Sequence, residues 1–299
     1  MRIVKEAQAM QELGHQVSLL CPKQAQIGSL AEKHGLKVQY LPNGRKKISA
    51  VFALLNWLKS LPQDVIHTHS STDSWLVALA TQLMLKRPAI VRTRHISAPV
   101  KANMSSRWLY TKSCDHIVTT GEKLKQSLID SNHFPPEHIT SVRTGIDLDY
   151  FQPADKYEAR TKLGLDRDAF IIGIVATLRS WKGHRYLIRA FKQFSDQSSI
   201  LLIVGDGPQW DALHRQVEEL GLQQRVFFTG RQDNIAEWMN VMDIFCLPSY
   251  ANEGVPQALM QSQACGIPAI TTLNGSINEA VIPGKTALIV EPQNSDAIL

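Results

Sequence analysis

The sequence predicts an α/β protein of two doubly wound parallel-sheet domains, and three observations carry that expectation. Its 299 residues exceed what a single hydrophobic core usually organises. Short runs rich in β-branched residues alternate with helical patterns from end to end, as parallel sheets covered by helices require. The alternation pauses over residues 144–166, which hold Gly145, Pro153 and several aspartates, and then restarts.

In the first half the strand runs are Gln16–Leu20, Lys37–Tyr40, Val65–His67, Ala89–Arg92, His116–Thr119 and Ile139–Val142. In the second they are Phe170–Ala176, Ile200–Val204, Val226–Thr229, Asp243–Leu247, Pro268–Thr272 and Ala287–Val290. The pause divides the chain into domains 1–152 and 153–299. The run Ser74–Leu85 is apolar nearly all round and predicts a buried core helix rather than a membrane contact. The chain opens on an amphipathic helix, with Ile3, Ala7, Met10 and Leu13 on one face and Gly14 after it. A doubly wound domain normally opens with a strand and a glycine-rich turn, so the first strand is expected to be missing. At the other end Asn294-Ser295-Asp296 reads as a helix N-cap with too few residues after it for a turn, so the last helices are expected to be missing too.

With 44% hydrophobic and 20% charged residues the composition is that of a soluble globular protein. The net charge of +5 favours anionic ligands and is compatible with a peripheral contact at an anionic membrane surface. The basic clusters Arg45, Lys46, Lys47 and Arg179, Lys182, Arg185, Arg189 lack the interleaved aromatics of RNA-binding surfaces, so no nucleic-acid partner is expected. Cys21, Cys114, Cys246 and Cys265 form no C-x-x-C pair and imply neither a zinc site nor a disulfide framework. That suits a cytoplasmic protein. The longest apolar stretch, Ser49–Leu58, is too short to span a bilayer, and no signal peptide precedes it.

The most informative segment runs from Asp243 to Thr272: a strand, the loop Pro248 to Gln257, and a helix reaching Cys265. Its loop ends where the helix begins. Backbone N–H groups over Gly254, Val255, Pro256 and Gln257, with the positive end of the helix dipole, predict an anion site that Gly254 lets a ligand approach closely. Glu253, just ahead of it, is placed to accept hydrogen bonds from sugar hydroxyls. Gln261, eight residues on, could reach a second polyol such as a ribose. Lys182 follows directly on a buried strand run, which argues for a phosphate contact over a solvated helix face. Gly205-Asp206-Gly207-Pro208 is first a strand-to-helix turn, with Pro208 expected at the first helical position. His95 sits just past a strand end. His67 and His69 make a poor metal site alone and are expected to be structural, so no metal centre is predicted.

These segments resemble the family-4 (group 1) retaining glycosyltransferases, whose two Rossmann-like domains face each other across a cleft in the GT-B fold. The resemblance is carried by Asp64-Val65-Ile66-His67-Thr68-His69-Ser70, Val91-Arg92-Thr93-Arg94-His95, Thr144-Gly145-Ile146-Asp147-Leu148-Asp149-Tyr150-Phe151, Lys182-Gly183, Gly205-Asp206-Gly207-Pro208 and Glu253-Gly254-Val255-Pro256. It implies an amino-terminal acceptor-side domain and a carboxy-terminal nucleotide-sugar domain. It also implies that Glu253 contacts the donor sugar, that Lys182 holds the diphosphate, and that His95 lies near the transferred sugar. The family's second glutamate, which binds the ribose, is Gln261 here, and its arginine five residues before the lysine is Thr177, leaving Arg179 as a substitute. The reaction implied is metal-independent and retaining, with no cofactor beyond the nucleotide-diphosphate-sugar co-substrate. A saccharide or lipid-linked acceptor in envelope polysaccharide or lipopolysaccharide synthesis, at the inner face of the membrane, is implied as well. The rivals are a non-catalytic nucleotide-binding fragment and a sugar-nucleotide epimerase of similar architecture. A dinucleotide-binding module is disfavoured because no G-x-G-x-x-G follows a strand.

Overall fold

A computed structural model describes residues 2–41, 48–251 and 253–299. The basic cluster Arg45, Lys46, Lys47 lies outside them. The chain forms two compact units. The first comprises residues up to Arg94, Val100–Val118 and Ile129–Thr140; the second comprises His95–Pro99, Thr119–Leu128 and Ser141–Leu299.

In chain order the first elements are α1 (Arg2–Glu12), β1 (Ser18–Pro22), α2 (Gln26–Lys33), β2 (Lys37–Leu41), α3 (Ile48–Ser60), β3 (Val65–Thr68), α4 (Ser71–Thr81), β4 (Ala89–Arg94), α5 (Met104–Thr111), β5 (His116–Thr119), α6 (Glu122–Asn132) and β6 (Ile139–Ser141). They build two separate sheets, a parallel pair β1-β2 and a four-stranded sheet β3-β4-β5-β6. Strand β1 starts two residues later than expected because of how α1 ends. Gly14, at φ 89, takes the left-handed position, and the His15 N–H closes back on the Met10 carbonyl at 3.0 Å before the chain can extend. Helix α4 is held at its start by a capping box, in which Ser70 and Asp73 satisfy each other's backbone N–H. Its expected all-round burial is corrected. Leu76, Val77 and Ala80 are buried, but Leu79 is 45% exposed, and the helix stops at Thr81, leaving Leu83 and Leu85 outside it and exposed.

The remaining elements are α7 (Lys156–Lys162), β7 (Ile171–Val175), α8 (His184–Gln193), β8 (Ile200–Val204), α9 (Trp210–Glu219), β9 (Val226–Gly230), α10 (Ile235–Asn240), β10 (Ile244–Leu247), α11 (Gln257–Ala264), β11 (Ala269–Thr271) and β12 (Ala287–Ile289). Their six strands form one sheet in the order β12-β11-β10-β7-β8-β9. The strand pairs recorded in it are all parallel. Strands β7 and β8 are nearly continuous Ile, Leu and Val, the composition of strands buried on both faces. Pro208 is not at the first helical position, since α9 begins two residues later at Trp210. Asn294 does cap: its Oδ1 accepts from the N–H groups of Asp296 and Ala297, both at 3.1 Å, over a turn rather than a helix.

One buried charge network fixes the start of this sheet. Arg160 is 2% exposed and donates to the Val241 carbonyl, to the Arg167 carbonyl at 2.7 Å and to Asp243 at 2.6 Å. Asp243 also accepts from the Ile171 N–H at 2.7 Å and from Lys156 at 2.6 Å. Burial pushes the Asp243 carboxyl up, yet these donors outweigh it and hold the group below the ordinary carboxylate range. The four cysteines are free and buried. Burial drives the Cys246 thiol up to about 12 and those of Cys114 and Cys265 up to about 11. No helix among the described residues is long and apolar enough to cross a membrane.

Asp243→Ala leaves the Arg160 guanidinium buried without its counter-ion and should cost roughly 3 to 5 kcal/mol, read as a lowered midpoint in urea denaturation followed by tryptophan fluorescence.

Candidate functional site

Strand order reverses at β7: the chain adds β8 and β9 on one side and then β10, β11 and β12 on the other. In an open α/β sheet the crevice at such a switch point, beyond the carboxyl ends of the strands, is where ligands bind. Here the two strands that flank it are β7 and β10, paired in parallel through Ile172 with Ile244 and Gly173 with Phe245. Their exits carry Lys182 and Glu253.

After β7 the chain passes a buried Leu178 and a single 3-10 turn, Ser180–Lys182, before Gly183 opens α8. Gly183 sits at φ 82, and a Cβ added there would lie 2.2 Å from the Pro248 carbonyl oxygen. Only glycine lets the α8 start press against the loop leaving β10. The same two loops are tied by the Tyr250 N–H, which donates to the Trp181 carbonyl at 2.8 Å. Across this contact Lys182 Nζ reaches Glu253 Oε1 at 2.7 Å, with side-chain exposures of 20% and 6%. The two residues that sequence reasoning singled out are thus one ion pair. Arg179 is exposed, with its guanidinium 5.6 Å from the Trp181 ring, and is not part of the pair.

Glu253 is held from behind. A Cβ on Gly275, at φ 60, would fall 2.0 Å from the Glu253 carbonyl oxygen, and the Thr272 hydroxyl and Asn274 amide both donate to the Ser249 carbonyl. Gly254 is equally confined: a Cβ there would lie 2.6 Å from the His95 carbonyl oxygen and 2.9 Å from Thr120 Oγ1. The structure therefore brings the His95 backbone to the glycine beside Glu253. Helix α11 then starts at Gln257 with Pro256 as N-cap and no side chain capping it. Because Pro256 has no N–H, the expected donor run over 254–257 is corrected to Gly254, Val255 and Gln257. Val255 and Pro256 are buried, and the Gln257 amide reaches the Gly145 carbonyl at 3.4 Å. Gln261 stands one turn further along the same helix face and is half-buried.

Gly205 and Gly207 serve a purpose the motif alone did not reveal. Added Cβ atoms would lie 2.1 Å from the Ala176 carbonyl oxygen and 2.8 Å from the Leu178 backbone. The turn continues the β7–β8 ladder beyond the strands, with the N–H groups of Ala176 and Leu178 donating to the carbonyls of Val204 and Asp206 at 3.0 Å each. The rings of His67 and His69 meet at a tilt of 39° with centroids 4.2 Å apart, and a hydrogen bond of 2.6 Å joins His67 to Thr93. No group of three or more metal-ligating side chains occurs among the described residues.

Sequence reasoning missed His184. It is 2% exposed at the α8 start, neither ring nitrogen has a hydrogen-bond partner among the described residues, and burial followed by the charge of Lys182 lowers its pKa to about 3. The neighbouring glycine was the only signal that something packs tightly there. Buried hydroxyls of Thr120, Ser249 and Ser276 around the Glu253 loop likewise lack protein partners among the described residues.

Residues 155–299 match the family model "Glycosyl transferases group 1" and residues 2–150 match "Glycosyltransferase Family 4". The chain is 29% identical over 247 residues to the UDP-Gal:alpha-D-GlcNAc-diphosphoundecaprenol alpha-1,3-galactosyltransferase of Escherichia coli, covering 77% of this chain and 63% of that enzyme. It is 28% identical to the D-inositol 3-phosphate glycosyltransferase of Mycolicibacterium paratuberculosis, covering 78% and 56%. The chain thus spans less than two thirds of these curated relatives. Among solved structures, Anabaena HepE in complex with UDP-glucose superposes with a TM-score of 0.87 at 21% identity, covering 99% of this chain and 82% of that one. WaaG, a glycosyltransferase of lipopolysaccharide biosynthesis, gives 0.75 at 16%, covering 99% and 83%. The shared fold is GT-B.

Gly183→Ala should cost about 2 kcal/mol or more, since it adds a left-handed strain to a backbone collision; a thermal melt reads it. His184 should make stability fall with acid. The unfolded chain binds the proton near pH 6.5 and the folded chain only near 3, so stability is unaffected above that window. Within it, stability drops by about 1.4 kcal/mol per pH unit. His184→Leu should remove that slope in denaturant titrations between pH 4 and 7.

Proposed function

Because the chain belongs to the family-4, group 1 glycosyltransferases, we propose that it moves a sugar, with retention and without a metal, from a nucleotide-diphosphate donor to a saccharide or lipid-linked acceptor. The observation that carries this reading is the Lys182–Glu253 pair at 2.7 Å, standing at the switch point beside the uncapped start of α11.

A diphosphate at that helix start meets the N–H groups of Gly254, Val255 and Gln257 and the positive end of the dipole. Lys182 then turns from Glu253 to the phosphate, and Glu253, relieved of the lysine, accepts from the sugar hydroxyls. As the bond from the anomeric carbon to the diphosphate breaks, the developing charge is held by these N–H groups and Lys182. The acceptor oxygen forms the new bond to that carbon and passes its proton to the departing phosphate. His95 lies on the sugar side of Gly254, and Gln261 faces the ribose. Arg179 offers a second cation from the loop, while Gly205 and Gly207 keep the adjoining turn close. A UDP-sugar is favoured as donor, because the Escherichia coli relative is named for UDP-Gal and HepE is solved with UDP-glucose. The diphosphoundecaprenol-linked acceptor in the Escherichia coli relative's name and the lipopolysaccharide setting of WaaG favour a lipid-linked or envelope saccharide, reached from the inner face of the membrane. The epimerase reading predicts a changed sugar nucleotide without any acceptor, and the fragment reading predicts nucleotide binding without turnover.

Incubation with UDP-sugars and polyprenyl-diphosphate saccharides, followed by mass spectrometry, should show the acceptor gaining one sugar residue and UDP being released. An epimer alone, or no product, overturns the reading. Lys182→Ala should weaken UDP binding about 10- to 150-fold, since a charge-assisted contact contributes roughly 1.5 to 3 kcal/mol. Glu253→Gln should cut turnover while bare UDP binds as tightly or more tightly, because the variant frees Lys182. Calorimetric titration separates the two effects.

A further inference from the structure

The described residues bury two arginines and treat them differently. Arg160 directs its N–H groups to two carbonyls and to Asp243, in the network that fixes the second sheet. Arg92 is 5% exposed, and its Nη1 is enclosed with no acceptor among the described residues. What it has is the ring of Tyr110, whose centre is 4.0 Å from the guanidinium carbon. A ring satisfies the flat face of a guanidinium but none of its N–H groups, which lie in the plane.

Arginine does not shed its proton in a protein, so this charge is carried into the interior at a cost. Burial lowers its pKa from the ordinary value, and the charge of Arg94 adds to that. The Asp73 carboxylate acts on Arg92 only through its field. Its oxygens accept from the N–H groups of His69, Ser70 and Ser74 at the start of α4.

Alternate residues of a strand share a face, and Ile90, Arg92 and Arg94 alternate along β4. Ile90 packs in the α3–α4 cluster, so both arginines stand on the face covered by α4 and α5, two helices joined by Trp75 and Trp108 at 5.9 Å. Arg94, half-buried, donates to the Tyr110 hydroxyl at 3.0 Å. Tyr110 is 3% exposed and stacked on Phe134 at 5.1 Å, which fixes the ring that both arginines use. All of these residues belong to the first unit, and the arginines stand at the carboxyl end of their strand, the end at which open α/β sheets receive ligands.

We propose that Arg92 and Arg94 form an oxyanion site in the first unit, built for the phosphate of a phosphomonoester or a diphosphate ester. The Arg92 fork matches two oxygens of one such group, and Tyr110 holds it flat. Arg94 supplies the second positive charge, which favours a phosphate over a singly charged carboxylate. The site shares no residue with the Lys182–Glu253 pair and does not depend on the reaction assigned above. Only the further step, that the acceptor carries this phosphate, rests on that reading.

Calorimetric titration of the full chain with inorganic pyrophosphate, in saturating UDP, is the test. The wild type should bind pyrophosphate, and Arg92→Met should bind it at least about tenfold more weakly, as loss of a charge-assisted bidentate contact requires. That variant exchanges a buried unpaired charge for an apolar chain, so without ligand it should melt no lower than the wild type. A lowered melting temperature with unchanged pyrophosphate binding makes Arg92 structural and overturns the proposal. Arg94→Gln is a second variant at a half-buried position and should weaken binding roughly threefold or more; binding unaltered in both variants overturns the site. Lys182→Ala, titrated without UDP, should still bind pyrophosphate. Loss there, with none in Arg92→Met, assigns the anion to the Lys182 site alone and overturns the proposal. Pyrophosphate binding that requires Arg92, in a chain that binds no UDP, supports it while the donor reading falls. Geranyl diphosphate displacing pyrophosphate more readily than glucose 1-phosphate identifies a lipid-borne phosphate, and the reverse order a soluble one, both in support of the site. Displacement by neither overturns the phosphate ester as its ligand.

Discussion

Everything the second unit offers to a ligand depends on β7 lying next to β10. Lys182 and Glu253 are 71 positions apart in the chain, and no local rule brings them together. What does so is a short parallel pairing, pinned at its amino end by Asp243, which binds the Ile171 N–H, Lys156 and Arg160 at once. At its carboxyl end the pairing is closed by the contact of Gly183 with Pro248. A largely enclosed carboxylate is tolerated only when its lone pairs are filled, and here the fillings come from two elements, α7 and β7. The charge that would otherwise destabilise the fold thereby sets the register on which the site is built.

At the top of the same strands the opposite arrangement holds. Glu253 is 4% exposed and has the Lys182 cation beside it, on a side chain long enough to swing. A pair of this kind is easily exchanged. An arriving diphosphate supplies the lysine with a stronger partner and leaves the carboxylate facing hydroxyls, so charge is conserved on both sides of the exchange. The rigid backbone around it, with glycines packed against carbonyl oxygens at positions 183, 254 and 275, confines the rearrangement to side chains.

Much of this was legible in the sequence, and the misses have physical causes. The strands could be read because buried parallel strands are short, apolar runs bounded by turn residues, and β8, Ile200–Val204, is found where its composition places it. Lys182 and Glu253 could be read from their position at strand exits. Their mutual contact could not, since pairing between distant strands leaves no periodic trace. Gly205 and Gly207 read as a strand-to-helix turn, but their packing against Ala176 and Leu178 is not legible, because a glycine that admits a ligand and one that admits a neighbouring carbonyl have the same letter. Pro256 broke a run of donors that was counted without regard to its missing N–H. His184 was invisible because burial, not residue type, removes its proton.

The four sulfur atoms have a practical consequence. Every thiol is enclosed, and three are so strongly disfavoured as thiolates that they stay protonated at any working pH. The thiolate is the form that attacks an alkylating reagent, so the native protein is a nearly silent background for maleimide chemistry. A single cysteine placed at exposed Ser180, in the turn that carries Lys182, would take a fluorescent dye alone. The emission of that dye would follow the loop as its lysine changes partner.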